Sequence, residues 1–386
     1  MSREMKDSGV EHIGLVPCGW NVCRLKNFAS ICNGQDCKDV YDEEGMYPVI
    51  GSGGIFSSSK KYLYDKESVL LGRKGTIDKP LFVDYPFWTV DTMFYTKIND
   101  DTCSKYLYYL CLTIPFDYYQ FGTALPSMTQ QNLNNIFFPK PSLEIQQKIA
   151  DFLDSKCATI DRLISLQEEM IAELQAYKQS VITEAVTKGL DPDVPMKDSG
   201  VERIGDTPRH WFAVKLKFLC LMNSGVNLTS EAIMEAGLYP VYGGNDVRGY
   251  YNEYNCDGDC LLVGRQGALC GNVIHVSGQF WATEHAIITR VTRLMRTRYL
   301  FYLLTAMSLN QYSISSAQPG LSVGFIKNLS VMVPELEEQN EISEHLDKRI
   351  YLIDALLQSK QSKIDTLKEY KKSLIYECVT GKREVV

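Results

Sequence analysis

No window of this sequence approaches the roughly 18 uninterrupted apolar residues that a membrane-spanning helix needs, and residues 1–9 are polar where a secretory leader would turn apolar. A soluble globular protein with a cytoplasmic address is expected. Twelve cysteines are present, but their spacings (Cys18, Cys23, Cys32, Cys37; Cys256, Cys260, Cys270) contain no Cys-x-x-Cys. No histidine pair completes a tetrahedral set among the five histidines. Metal ligation and disulfides are therefore set aside in favour of reduced, mostly buried thiols. Catalytic constellations are missing too: there is no Gly-rich cofactor fingerprint, no Walker loop, no Asn/Asp-Pro-Pro-aromatic motif for amino-methyl transfer and no Pro-Asp…Asp/Glu-x-Lys nuclease set. Nor is there an excess of positive charge. The 40 basic and 47 acidic residues leave a net charge of −7, where a protein that bound DNA unaided would usually be basic.

What is present is a repetition. "MKDSGVE" at residues 5–11 recurs letter for letter at 196–202. At an offset of 191, residues 5–28 match 196–219 at 13 of 24 positions, including Pro17/Pro208 and Trp20/Trp211. At 192, "YPVIGSGG" (47–54) meets "YPVYGGND" (239–246) and "LLGRKG" (70–75) meets "LVGRQG" (262–267); at 193 the match runs from Trp88/Trp281 to Thr187/Thr380. An offset that drifts by two residues leaves little room for insertions, so the 386 residues are two tandem copies of one unit.

Each copy has the same internal order. Short runs rich in Tyr, Val and Phe ("YPVIG", "SVLL", "PLFV", "MFYTKI"), broken by Gly, Pro, Asp and Ser, read as strands and turns. A helical piece, "SKYLYYLCLT", sits within. After Pro141 and after Pro334 the chain loses Pro and Gly for more than forty residues, which predicts one long helix per copy. A helix of 46 residues is about 70 Å long, more than one globular part covers. Heptad stripes are read at Ile149, Leu153, Ile160, Leu163, Met170, Leu174, Tyr177 and Val181, with Lys156 and Gln167 interrupting. The second stripe is Ile342, Leu346, Ile353, Leu356, Leu367, Tyr370 and Leu374, with Arg349, Lys360 and Lys363 in the gaps. Two copies with a two-fold relation would set these helices antiparallel, put the globular heads at opposite ends, and bring the chain termini together.

Two related but non-identical heads on a ruler can read two things at one spacing, and duplex DNA offers half-sites at multiples of about 34–36 Å. Basic residues cluster in each head: Lys60, Lys61, Lys66, Arg73, Lys74 and Lys79 in the first, and Arg248, Arg265, Arg290, Arg293, Arg296 and Arg298 in the second. The paired "GRKG" and "GRQG" turns place Arg73-Lys74 and Arg265-Gln266 at a tip, where arginine forks onto a guanine edge or a phosphate and Lys versus Gln changes the donors on offer. "GSGGIF" and "GGNDVRG" add Ser52, Asn245 and Arg248; "GTALPSMTQQN" and "SSAQPGLSVG" add Thr129, Gln130 and Gln318. His285 in "WATEHAI" has Thr92 as its counterpart and is read as buried or DNA-facing, and is kept as a DNA-binding candidate, since a catalytic histidine would exist in one copy only. Two other classes stay open on the residues alone: a self-contained nucleic-acid-modifying enzyme, and a coiled-coil scaffold without DNA specificity.

The twin "MKDSGVE-x-IG-x-x-P-x-x-W" openings, the "LLGRKG"/"LVGRQG" strands and the "P-x-L-E-x-Q-x-x-I" helix starts at 141–149 and 334–342 together resemble the specificity subunit of type I restriction-modification systems, over essentially the whole chain. The resemblance implies an α+β fold: two pseudo-two-fold-related mixed α/β target-recognition domains (1–141 and 191–334), separated by two long antiparallel coiled-coil helices (142–190 and 335–386) that set an unread gap. It implies a non-catalytic chain that reads one half of an asymmetric bipartite site with each domain. Double-stranded DNA and two DNA adenine methyltransferase subunits are the implied partners, and the resemblance admits two restriction subunits with ATP-driven translocation. Cofactors are expected on those partners (S-adenosylmethionine, ATP and Mg) and none on this chain. The first opening departs from the second, with Cys18-Gly19 where the other has Arg209-His210, so a phosphate contact there is expected in the second copy only.

Overall fold

Glycine, proline and aspartate breaks in the sequence become turns, and the apolar runs between them become strands, in both copies. A computed structural model of the chain describes residues 3–119, 126–201, 204–267, 269–313 and 320–385. Two units result, Met1–Glu168 with Ser362–Val386 and Glu169–Gln361. In the first, the strands are β1 (Ala29–Asn33), β2 (Tyr47–Gly51), β3 (Gly54–Ser59), β4 (Ser68–Gly72), β5 (Leu81–Val83), β6 (Trp88–Thr89) and β7 (Met93–Ile98). They form an antiparallel sheet ordered β1-β7-β4-β5 and a smaller one ordered β3-β2-β6, in which β2 and β6 run parallel. Interior strand β4, "SVLLG", is buried at every position, which is why it reads as a continuous apolar run and not as an alternation. Helices α1 (Ser104–Cys111) and α2 (Leu143–Lys188) follow.

The second unit repeats this with β8 (Cys220–Ser224), β9 (Tyr239–Tyr242), β10 (Val247–Tyr251), β11 (Cys260–Gly264), β12 (Val273–Val276), β13 (Trp281–Ala282), β14 (Ala286–Val291), α3 (Thr297–Ala306) and α4 (Leu336–Val379). Its sheets are ordered β8-β14-β11-β12 and β10-β9-β13, and the register shift in the small sheet falls at Val49/Ile50 and at the matching Val241/Tyr242. Equivalent tryptophans tie the loops down: the Trp88 indole donates to the Gln35 carbonyl at 2.9 Å and that of Trp281 to Val226 at 3.1 Å.

The "P-x-L-E-x-Q-x-x-I" motif has a physical reading in these units. Gln146 is fully buried; its Oε1 accepts from the Cys103 amide at 2.9 Å, and its Nε2 donates to the carbonyls of Asp101 and Pro141. Gln339 does the same with the Arg296 amide and the Leu294 and Pro334 carbonyls. Each glutamine thus fixes the start of its long helix to the loop that opens α1 or α3. One turn and more later, the Asp154 carboxylate takes the Tyr109 hydroxyl at 2.6 Å and pairs with Lys105, and Asp347 takes Tyr302 and pairs with Arg298, both at 2.6 Å. Arg298, one of the basic residues clustered in the second head, is a clamp between α3 and α4.

Within each unit the two long-helix segments run antiparallel. In the first unit the Tyr106 hydroxyl donates to Pro139, just ahead of α2, and to Val379, the last residue of α4, while Asp161 meets Lys371 at 2.7 Å. In the second, Lys178 meets Asp354 at 2.6 Å and Tyr177 meets Arg349, while a side chain at Gly189 would touch Glu338. One core therefore joins Trp20, Phe28, Leu107 and Phe138 to Ile149, Leu153 and Ile160 of α2 and Leu374 and Cys378 of α4. The other joins Trp211, Leu300 and Leu303 to Val181 and Ala185 of α2 and Ile342, Leu346 and Ile353 of α4. Burial pushes the Cys378 thiol up to about 11 and that of Cys220 up to about 12, so both stay protonated and inert near neutrality.

The covered stripe corrects the sequence register. One continuous stripe of buried or half-buried positions on α2 is Leu153, Cys157, Ile160, Ile164, Gln167, Ile171, Leu174, Lys178, Val181 and Ala185. On α4 the matching stripe is Leu346, Ile350, Ile353, Leu357, Lys360, Ile364, Leu367, Lys371, Leu374 and Cys378. The two stripes match at a constant offset of 193 and keep a strict three-four alternation, the heptad seam of antiparallel packing. Leu163, Met170, Tyr177, Leu356 and Tyr370, expected in the seam, are 40–50% exposed, and Lys156, Arg349 and Lys363 are exposed outside it. Adjacent apolar pairs such as Leu163-Ile164 and Met170-Ile171 offer two stripes one residue apart, and only contact with the facing helix selects one. All twelve cysteines are free, no group of the described residues could hold a metal ion, and no described helix is long and apolar enough to cross a membrane.

Candidate nucleic-acid interface

In the first unit the "GRKG" turn leaves β4 under tight backbone constraint. A Cβ on Gly72 would lie 2.5 Å from the Ile77 Cα, and Gly75 adopts φ +83°; the first glycine permits close approach and the second a left-handed turn. Three other loops meet it. The amides of Arg73 and Lys74 donate to the Thr92 carbonyl in the β6–β7 turn, the Gly75 amide donates to Pro126, and Lys74 bridges to Ser127. Ser52, at the tip of the β2–β3 hairpin, places its Oγ 3.1 Å from where a Gly75 side chain would begin. Ser52, Arg73, Lys74 and the segment leading to Thr129 and Gln130 therefore converge. The Arg73 guanidinium donates to the Asp91 carbonyl at 3.3 Å and lies over the Phe94 ring, which aims it without neutralising it.

The second unit builds the same frame with different tips. Gly264 cannot carry a side chain, since a Cβ would sit 2.2 Å from the Leu269 carbonyl, and Gly267 adopts φ +79°. The Arg265 amide donates to His285 and its carbonyl accepts from Leu321, while Gln266 bridges to Gly320. Gly244, beside Asn245, packs near the Gly264 Cα and the His285 carbonyl. Arg265 points its guanidinium at the Ser224 hydroxyl, 3.2 Å away, whereas Arg73 lies along the β6–β7 turn. Exposed Arg248 folds its stem over Gly243, just as exposed Phe56 packs over Gly51. His285 pairs with Glu284 at 3.2 Å. Asn245, Arg248, Arg265, Gln266 and His285 thus gather around one cluster of turns, and Gln318 lies outside the described residues.

Three sequence candidates are placed otherwise. Lys60 and Lys61 follow the last residue of β3, whose pairing runs from Gly51↔Gly54 at the tip to Tyr47↔Ser59 at the base; at about 3.3 Å per residue they sit roughly 20 Å from the tip, and Lys60 pairs with Asp42 at 3.6 Å. Lys79 is exposed two residues beyond buried Ile77, and no bond ties it to the cluster among the described residues. Within the cluster, Thr129 and Gln130 have structural duties: the Thr129 hydroxyl caps the helix Gln130–Asn135 by accepting from Asn132, and the Gln130 amide donates to Ile31 at 2.6 Å. Sequence reading missed Asn272, whose side-chain amide donates to the Asn245 Oδ1. It also missed the exposed pair Ile55 and Phe56 at the first hairpin tip, where apolar groups suit a thymine methyl.

Comparison with known proteins gives this geometry a context. The family described as type I restriction modification DNA specificity domain matches twice, at residues 17–176 and 208–366. The type I restriction enzyme EcoprrI specificity subunit of Escherichia coli is 30% identical across 74% of this chain and 72% of its own length. The MjaVIII specificity subunit of Methanocaldococcus jannaschii is 27% identical across 96% of this chain and 94% of its own. A solved chain from a study of complex assembly and conformational transition of the type I R-M system shares the fold with a TM-score of 0.70 at 15% identity, covering 95% of this chain and 99% of that one.

Proposed function

This chain belongs to the type I restriction modification DNA specificity family, and from that premise we propose how its two units divide the work of reading DNA. It is the sequence-recognition subunit of a type I restriction-modification complex. One head, residues 1–141, reads one half of an asymmetric bipartite site in the major groove, and the other, residues 191–334, reads the second half. The helical segments 142–190 and 335–386 set the unread gap between them. The observation that carries this reading is the pair of turn clusters: an identical glycine-constrained frame presents Ser52, Arg73 and Lys74 in one unit and Asn245, Arg265, Gln266 and His285 in the other. A shared frame with different donors and acceptors at its tips is what two readers of different sequences require. Family membership sets aside the scaffold that ignores DNA sequence.

The chain itself performs no chemistry in this reading. Two DNA adenine methyltransferase subunits carry S-adenosylmethionine and dock on the helices and heads, and restriction subunits with ATP and Mg complete the complex in the cytoplasm. The exposed apolar side chains Leu163, Met170, Tyr177, Leu356 and Tyr370 support docking along the rods. Partner charge would offset the net −7 of this chain, since phosphate contact needs local positive charge. The test is methylation-site mapping in a host that expresses this chain with its methyltransferase. One bipartite motif with a fixed gap is the expected outcome; methylation without sequence preference, or methyl transfer by the isolated chain, refutes the reading.

A further inference from the structure

Resting on that reading, we infer that Asn272, held in place by Asn245, reads an adenine in the half-site of the second unit, and that the first unit has no equivalent reader. The β11–β12 loop fixes Asn272 through its backbone: its amide donates to the Leu269 carbonyl at 3.1 Å and its carbonyl accepts from Gly264 at 2.8 Å. One side-chain N–H donates to the Asn245 Oδ1, and Asn245 is itself steadied by Asp246, which accepts its Nδ2 at 3.0 Å. This leaves Asn272 with its Oδ1 and its second N–H, both without partners among the described residues, on an exposed side chain. A planar amide can present an oxygen and an N–H together on one edge. They are the acceptor and donor that pair with adenine N6 and N7 in the major groove.

The surroundings favour a base edge over the DNA backbone. The Asp246 and Glu284 carboxylates flank the cluster and repel phosphate, whereas the positive groups, Arg265 and Arg248, stand beside them. The feature is also confined to one copy. At the matching offset of 192 the first copy has Gly53 for Asn245 and Pro80 for Asn272, so neither the positioning amide nor the reading amide exists there. A loop of equal length, residues 73–80 against 265–272, keeps the frame in both. Asn272 is therefore assigned as a specificity-determining residue and Asn245 as its positioning residue.

The test uses the full chain assembled with its methyltransferase partner, with methylated sites mapped across a genome. For Asn272→Ala, one A·T position in one half-site becomes degenerate, with discrimination there falling roughly 5- to 150-fold, while the other half-site and the gap are unchanged. Asn272→Asp, which can only accept, moves the preference at that position toward cytosine, whose N4 donates. Asn245→Ala weakens discrimination at the same position and no other. Unchanged specificity in Asn272→Ala and Asn272→Asp overturns the assignment while leaving the two-headed reading intact. Equal loss at both half-sites in Asn272→Ala, unaccompanied by the shift in Asn272→Asp, overturns it as well. A wild-type complex without a bipartite motif sinks the underlying reading, and this assignment with it.

Discussion

The buried side chains of Gln146 and Gln339 each satisfy three backbone groups at buried or part-buried positions, and truncating either removes that partner from two carbonyls and an amide. Because an unsatisfied buried group costs more than a hydrogen bond contributes, Gln146→Ala is expected to destabilise the protein by about 2–4 kcal/mol. Gln146→Leu, which keeps the volume, should cost nearly as much. Urea denaturation of both variants decides this, and a loss confined to the alanine variant would assign the effect to packing. Arg73 poses the opposite case, since it contributes to recognition and little to folding. Its guanidinium is aimed by a single carbonyl and a ring face, so Arg73→Ala should leave stability within about 0.5 kcal/mol. If the arginine forks onto a base, the same change weakens or relaxes one half-site by about 1–3 kcal/mol. Competition binding with duplexes altered in one half-site at a time measures this, and equal loss at both half-sites would rule the assignment out.

At the scale of elements, the seam carries Lys178 and Lys371 in equivalent positions, and each finds an equivalent aspartate, Asp354 and Asp161. Half-exposed pairs of this kind contribute modestly to stability, while polar residues in a seam fix register. Asp161→Lys is accordingly expected to cost about 1 kcal/mol, and the charge swap with Lys371→Asp to recover most of it; a double-mutant cycle with no coupling would show that the pair has no role. The helices themselves were readable in the sequence because forty and more residues without Pro or Gly admit little else. Their seam register was not, because adjacent apolar residues such as Leu163-Ile164 satisfy two stripes equally. The strands were readable for a similar reason, being apolar runs with turn residues at both ends. The site divides the same way. Arg73 and Arg265 stand out because the repeat frames them with paired glycines. Asn272 carries no such signal, as Pro80 stands in its place and matching the copies passes over it. Thr129 and Gln130 look like exposed tips in sequence, yet a helix cap and a β1 carbonyl claim their side chains.

For the whole molecule, each long helix contributes residues to both units: Leu143–Lys188 crosses from the first to the second after Glu168, and Leu336–Val379 crosses back after Gln361. The two ion pairs are equally spaced along both helices in sequence, since Asp161 and Lys178 are 17 residues apart and Asp354 and Lys371 are 17 apart. Shortening one helix alone breaks that equality. Removing seven residues from each, 164–170 and 357–363, keeps the equality and the heptad phase together. Seven residues of helix are about 10.5 Å, which corresponds to about three base pairs at 3.4 Å each. If the helices set the gap, the doubly shortened chain, assembled with its methyltransferase, should methylate the same two half-sites with about three fewer base pairs between them. Cores built on Ile149, Leu153 and Leu374 in one unit and on Val181, Ile342 and Leu346 in the other lie outside the deleted turns, so each head keeps its helical footing. Mapping the methylated sites reads gap and half-sites in one experiment. A gap of unchanged length would mean that something other than these helices measures the distance, and altered half-sites would mean that the heads depend on the removed turns for their shape.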